Sequence, residues 1–271
     1  MFRDRKLEIK TPEQVAVMRR AGLVVGETLE VLRDAVSPGV TTGELDALAE
    51  AHIRSLGATP SFLGYHGFPA TICTSVNDQV VHGIPGDRTL RDGDLISIDC
   101  GAIVDGWHGD AAITVPVGAV GADLVELMEV CEESLWRGIA AARLGGRVSD
   151  ISHAIESYVS SHGEYGIFED YVGHGIGSAM HLPPSVPNFG KPGKGPTLVP
   201  GLALAVEPMI TLGTIETEVL ADDWTVVTAD GSWSAHFEHS FTITPTGTLV
   251  LTALDGGAAK LAALGVPCAT R

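Results

Sequence analysis

The stretch Leu95-Ile-Ser-Ile-Asp99-Cys-Gly-Ala-Ile-Val104-Asp105-Gly106-Trp107-His-Gly-Asp110-Ala-Ala-Ile-Thr-Val115-Pro-Val117 decides how the chain folds. Two β-type runs flank Asp105-Gly106, and that dipeptide between such runs signals a two-residue hairpin loop. With the loop there, Val104 pairs with Trp107, Gly101 faces Asp110 and Asp99 faces Ala112. Side chains alternate along a strand, so Asp99 and Asp110 become diagonal neighbours on one face, close enough for their carboxylates to converge. Asp99 follows an apolar run and reads as buried. Two adjacent buried carboxylates cost several kcal/mol unless something positive joins them. On the hairpin alone, exposure to solvent, an Arg or Lys partner and a metal ion all stay open.

The second half of the chain narrows the choice. Leu90-x-x-Gly93 leading to Ile98-Asp99 matches Leu198-x-x-Gly201 leading to Val206-Glu207 with the same internal spacing, and each follows a His-Gly-Ile triplet, at His82 and His174. Asp110-x-x-Ile113-Thr114 is echoed by Glu238-x-x-Phe241-Thr242. Each repeat therefore delivers acidic residues at equivalent strand positions. Glu207 lies in Leu202-Ala-Leu-Ala-Val-Glu-Pro with no cation nearby, and Glu238 is flanked by His236 and His239. Carboxylates aimed at one cavity without local cations imply divalent ions. With the His174 imidazole the set is oxygen-rich with one nitrogen, which suits Mn, Fe(II), Co or Zn better than calcium or a thiolate zinc site.

Outward from these strands the pattern is helix, helix, strands, given twice. Thr11-Pro12 with Gln14 opens a first helix that Ser37-Pro38-Gly39 stops, and Thr41 with Glu44 opens a second. Helical spacing returns over about 123–143 and 149–160, with strands after Gly201. The expected fold class is α+β: two pseudo-symmetric halves with a central curved, mainly antiparallel sheet and outer helices. The expected organisation is an N-terminal extension over 1–10, a single catalytic unit over 11–252 with halves near 11–118 and 119–252, and a loosely docked tail over 253–271. The Gly- and Pro-rich stretch 188–200 reads as a surface loop.

The 271 residues are 45% hydrophobic with a mean hydropathy of +0.22, enough for a well-buried core. A net charge of −17 repels phosphate backbones, so DNA is not an expected partner. No apolar run approaches membrane-spanning length and the charged start holds no secretory h-region, which reads as cytoplasmic. Cys73, Cys100, Cys131 and Cys268 are far apart and form no C-x-x-C pair, so they read as free thiols. Gly173-His174-Gly175-Ile176-Gly177 looks like a phosphate loop, but Pro183-Pro184 follow where a long helix is needed. There is no G-x-S-x-G and no H-E-x-x-H, so serine-hydrolase and zincin readings lack support. Arg3, Arg5, Lys6 and Lys10 form a basic patch, read as a solvated end with transient ribosome contact as the alternative.

Seven segments, Tyr65-His-Gly-Phe68-Pro, Val81-His82-Gly-Ile-Pro85, Ser97-Ile-Asp99, His108-Gly-Asp110, Gly173-His174-Gly-Ile-Gly, Val206-Glu207-Pro-Met209 and Phe237-Glu238-His239, together resemble the type I methionine aminopeptidases, from about Thr11 to Thr252. The resemblance implies the pita-bread fold and removal of the initiator methionine from nascent chains, with a small second residue favoured and a water activated between two divalent ions. It implies that Asp110 and Glu238 bridge the ions, that Asp99 completes one site and that His174 with Glu207 completes the other. It gives His82 and His181 to substrate binding and charge stabilisation, and makes Glu207 a candidate proton shuttle. Tyr65, Phe68, Cys73, Trp224 and Phe62 would wall the methionine pocket. Phe62 and Met180 stand where many relatives carry Cys and Phe, which bears on the pocket's shape and not on its chemistry. An X-Pro dipeptidase is the runner-up within the same fold, and a binding module that has lost its metal ligands is the alternative outside enzymes. A monomer is expected.

Overall fold

The computed structural model describes residues 7–269. In chain order α1 (Pro12–Ala35) and α2 (Thr42–Ser55) precede β1 (Thr59–Pro60), β2 (Ile72–Val76), β3 (Gln79–Val81), β4 (Leu95–Val104) and β5 (Trp107–Pro116). Next come α3 (Ala122–Ala141), α4 (Val148–His162), β6 (Gly166–Ile167), β7 (Gly173–Gly175), β8 (Leu182–Val186), β9 (Ala203–Val206) and β10 (Met209–Thr211). The chain ends with β11 (Thr217–Val219), β12 (Val226–Thr228), β13 (Ser234–His236), β14 (Glu238–Thr244), β15 (Gly247–Val250) and α5 (Ala258–Ala263). Both opening helices start as their sequences dictate. Thr11 with Gln14 and Thr41 with Glu44 form reciprocal capping boxes, each satisfying two backbone donors that a helix start leaves open.

The main sheet runs β1-β4-β5-β14-β9-β7-β8, with β2 added to β4 and β15 to β14. Its paired strands are antiparallel throughout. The order β4-β5-β14-β9 reads the same from either end if the repeat partners are exchanged, β4 for β9 and β5 for β14. The two halves thus meet at one seam, where Glu238 pairs with Ala112 and His239 with Ala111. The β4–β5 hairpin has the expected register, with Val104 opposite Trp107 and Asp99 opposite Ala112. Asp105 and Gly106 both have positive φ, 48° and 80°, as that tight turn requires.

The helices cover the other face of the sheet. Val25, Leu29 and Leu32 of α1, Leu45 and Ile53 of α2, and Leu127, Leu135 and Ile139 of α3 share one buried cluster with Ile96, Ile98, Leu204 and Phe241 of the strands. At about 25 cal/mol per Å² of apolar surface removed from water, this burial supplies the main driving force for the fold. Helix α1 approaches closely because glycines meet there. A Cβ on Gly109 would lie 2.7 Å from the Gly22 nitrogen, and one on Gly22 would collide with the Leu251 carbonyl.

Two expectations need correction. The tail is not loosely docked: α5 buries Leu261, and Cys268 bridges to Thr248 along β15. One buried leucine in a six-residue helix is too little periodicity to read from sequence. The stretch 188–200 is the surface loop expected, with no helix or strand and 191–195 exposed, and it is pinned to the body where Asn188 and Leu198 are fully buried and Thr197 bridges to Arg147. Lys10 is buried rather than solvated, whereas Arg3, Arg5 and Lys6 lie outside the described residues.

The α1 contact yields a stability prediction. Alanine is worth about 1 kcal/mol over glycine inside a helix, but a Cβ on Gly22 displaces backbone, and overpacking of that kind costs about 1–3 kcal/mol or more. Gly22→Ala should therefore lower the urea midpoint, while Gly86→Ala, which meets nothing within 4 Å, should leave it near the parent value. A Gly22→Ala chain as stable as the parent would contradict this packing.

Candidate functional site

The register lays the acidic residues and His174 on two adjacent rows of one sheet face. In the first row Cys73 pairs with Asp99, Asp99 with Ala112, and Ala112 with Glu238. His239 opposite Val206 sets Glu207, one residue beyond β9, level with Glu238. In the second row Gly101 faces Asp110, Ser240 faces Ala205, and Ala205 faces His174. The Ser240 hydroxyl ties the row across the seam, accepting the Asp110 N–H at 3.2 Å and donating to the Asp110 carbonyl at 2.7 Å. Directly paired residues point to the same side, so the five polar groups converge. The small residues between them, Gly101, Ala112, Ala205 and Ser240, leave the space in which they meet.

Asp110, His174 and Glu238 each offer one donor atom, all within 4.8 Å of one another. Glu207 Oε1 lies 3.5 Å from His174 Nε2, and the Asp99 and Asp110 carboxyls are close enough to shift one another's ionisation. All five line a single cavity of about 390 Å³. With His174 Nδ1–H donating to the Gly175 carbonyl at 3.0 Å, Nε2 keeps its lone pair toward the cavity, the tautomer a metal ligand needs.

An apolar pocket adjoins this cluster. Phe62, Phe68, Ala70, Cys73 and Met180 are buried together, with Tyr65, Ile84 and Trp224 packed against them. Every residue expected to wall a side-chain pocket lines the cavity. Gly101 makes room for one of them, since a Cβ there would sit 2.8 Å from the Phe62 ring. His82 and His181 line the same cavity. His181 Nδ1 is 2.8 Å from the Tyr65 hydroxyl and its ring centroid is 4.4 Å from that of His174. His82 has a φ of 59° and sits edge-on to Trp224 and Tyr171.

Sequence reasoning singled out neither His66 nor His236. His66 lines the mouth, with a φ of 48°, and its signal was its place inside Tyr65-His-Gly67. His236 is buried, with Nε2 4.0 Å from Glu207 Oε2. Its signal was adjacency to Phe237-Glu238, but β13 belongs to a different sheet, so strand alternation does not connect the two.

The electrostatics are one-sided. Burial raises the pKa of all four carboxyls, Asp99 to about 7, and the neighbouring carboxylates push Asp110, Glu207 and Glu238 further up. Asp99 Oδ1, Asp110 Oδ1 and Glu238 Oε1 are buried without a hydrogen-bond partner. Among the described residues no lysine or arginine forms an ion pair with any of the four. Burial holds His82 and His174 down to about 4 and His236 to about 3, so these imidazoles are neutral at pH 7. Unpartnered buried oxygens, a neutral imidazole and no cation form a donor set that fits divalent metal.

Comparison with known proteins agrees with this chemistry. Residues 16–245 match the model of metallopeptidase family M24. The chain is 51% identical over 243 residues to methionine aminopeptidase 1 of Bacillus subtilis (strain 168), covering 90% of this chain and 98% of that one. It is 53% identical over 245 residues to methionine aminopeptidase 1 of Mycobacterium tuberculosis (strain CDC 1551 / Oshkosh), covering 88% and 92%. The crystal structure of methionine aminopeptidase from Rickettsia prowazekii superposes with a TM-score of 0.89 at 42% identity, covering 91% of this chain and all of that one. With its curved sheet, its one-sided acidic cluster and these matches, the chain belongs to metallopeptidase family M24 and, within it, to the methionine aminopeptidases.

Proposed function

We propose that this chain removes the N-terminal methionine from nascent polypeptides, using two divalent cations of the Co, Mn, Fe or Zn type held by Asp99, Asp110, His174, Glu207 and Glu238. The observation that carries the reading is the meeting of those five side chains beside an apolar pocket of aromatic and sulfur-bearing residues. Asp110 and Glu238 stand on the two strands of the seam, between Asp99 on one side and Glu207 with His174 on the other, and these five would hold the cations. Divalent cations, when bound, make water acidic enough to attack at neutral pH and polarise the scissile carbonyl.

The chain's own residues do the rest. Phe62, Tyr65, Phe68, Cys73, Met180 and Trp224 take the methionine side chain, whose burial is worth about 1.5–3 kcal/mol. Cys73 stands beside Asp99 in one row, so a side chain seated in the pocket brings its α-amino group to the carboxylates and restricts cleavage to the chain end. His82 and His181 are neutral donors suited to the negative charge that develops on the carbonyl oxygen. A Tyr65 hydroxyl that donates across the 2.8 Å to His181 Nδ1 would keep the proton of that ring on Nε2. Glu207 carries the proton from water to the leaving amine, a role suited to a carboxylate held in the cavity beside His174. The preference for a small second residue and action during synthesis rest on the family resemblance alone. The same reading takes residues 11–252 as one catalytic unit that works as a cytoplasmic monomer, with a transient contact at the ribosome and no DNA or membrane partner. Among the described residues, no helix is long and apolar enough to cross a membrane.

Purified chain should release methionine from Met-Ala-Ser, lose that activity in EDTA, regain it with added Mn or Co, and leave an X-Pro dipeptide intact. Glu207→Gln should lower kcat by about 10²–10⁴-fold with an unchanged circular dichroism spectrum. A fully active Glu207→Gln chain, or preference for the X-Pro dipeptide, refutes the assignment.

Metal-free protein should also show a distinctive pH response. Asp99 titrates near 7 in the folded chain against 3.8 for the free group, and the other three carboxyls shift the same way. Below about pH 6.5 the buried histidines, held neutral in the folded chain, oppose this effect; above it they are neutral in both states, the folded chain binds more protons through its carboxyls, and its stability falls as pH rises. The metal-free melting temperature should drop between about pH 6.5 and 8, by on the order of 5 °C. Added metal should raise it more at pH 7.5 than at pH 5, because binding expels those protons. Calorimetry showing the metal-free chain more stable at about pH 8 than at about pH 6.5 would contradict the charge balance described.

A further inference from the structure

The segment Glu8–Lys10 closes over the loop between β7 and β8. The Lys10 N–H donates to the Gly201 carbonyl at 2.9 Å and Ile9 bridges to Leu202, which runs the segment alongside the entry to β9. The Lys10 side chain turns inward until 1% of it is exposed, with its ammonium 3.3 Å from Glu8 Oε1 and donating to the Glu8 carbonyl at 3.1 Å. Glu8 in turn accepts the Ser178 N–H at 3.1 Å and also the Ser178 hydroxyl proton. Gly177 supplies the room, since a Cβ there would collide with the Glu8 carboxylate and with Lys10 Cε.

A Lys–Glu pair whose ammonium is buried while its carboxylate is 30% exposed is a poor source of stability. Desolvating the Lys10 ammonium costs several kcal/mol, and an apolar residue of the same volume often serves as well. What the pair does accomplish is to fix the position of the 177–181 loop. The Gly177 carbonyl accepts the His108 N–H at 3.0 Å from the β5 side. Beyond Ser178, Met180 is buried in the apolar pocket and His181 reaches Tyr65 and the His174 ring. The loop is thus held at Gly177 and Ser178, with the two pocket residues close beyond the anchor.

We infer that Lys10, Glu8 and Ser178 form a strap that positions His181 and Met180 for the amino-terminal substrate. None of the three lines the cavity, so they are positioning residues. The inference rests on the proposed function for its substrate, but the placement of His181 can be read without turnover.

The test uses the full chain loaded with zinc for imaging and with manganese for kinetics. Imidazole nitrogen NMR spectra should show the His181 signals displaced in Ser178→Ala and in Lys10→Met. Kinetics on Met-Ala-Ser should show kcat/KM lowered about tenfold, mainly through KM, with metal affinity and melting temperature of Ser178→Ala held at parent values. Ser178→Thr, which keeps the hydroxyl, should restore both readouts. Unmoved His181 signals in a folded Ser178→Ala chain overturn the inference, whether or not the rate falls. If Lys10→Met does not fold, Ser178→Ala still decides. A parent chain that fails to cleave Met-Ala-Ser sinks the proposed function, and the His181 signals then judge the strap by themselves.

Discussion

Mutual repulsion among Asp99, Asp110, Glu207 and Glu238 is the constraint around which this molecule is arranged. Four carboxyls share one cavity, three carry a buried oxygen with no hydrogen bond, and no lysine or arginine answers them among the described residues. The fold holds them there by the register of antiparallel strands, which is stiff because slipping by one residue would turn every side chain to the opposite face. The stabilising energy comes from elsewhere, from the apolar layer between helices and sheet. The site spends part of it, and divalent cations are what would turn that local cost into binding energy.

The pairing of the halves gives the arrangement its economy. Asp110 and Glu238 stand on the seam strands, Asp99 and Glu207 flank them, and the repeat partners occupy mirrored places in the order β4-β5-β14-β9. The departures from symmetry are chemical. On β7, beside β9, stands His174, whereas on β2, beside β4, Cys73 and its aromatic neighbours open an apolar pocket. One side is thus suited to polar chemistry and the other to an unbranched sulfur-bearing side chain, with neutral imidazoles at the boundary.

Much of this was legible in the sequence, for a definite reason. Strand alternation is strictly two-residue, so one tight turn at Asp105-Gly106 sets the relation of Asp99 to Asp110, and the internal repeat carries that relation to Glu207 and Glu238. Helix starts at Thr11 and Thr41 were readable because capping is local. What stayed hidden depends on contacts between segments remote in sequence. Lys10 reads as one more N-terminal cation until Glu8 and Ser178 are brought beside it. His236 reads as a neighbour of Glu238, yet it approaches Glu207 from another sheet. Helix α5 is too short to show a period, and Leu198 reaches the core from within a Gly- and Pro-rich stretch that carries no pattern at all.

The most direct test is a crystal of the purified chain soaked in manganese and measured at a wavelength where manganese scatters anomalously. Two strong anomalous peaks should lie among Asp99, Asp110, His174, Glu207 and Glu238, with Asp110 and Glu238 touching both. An anomalous map with no peak in that cavity, or with manganese bound only at exposed acidic side chains, would contradict the account at its root.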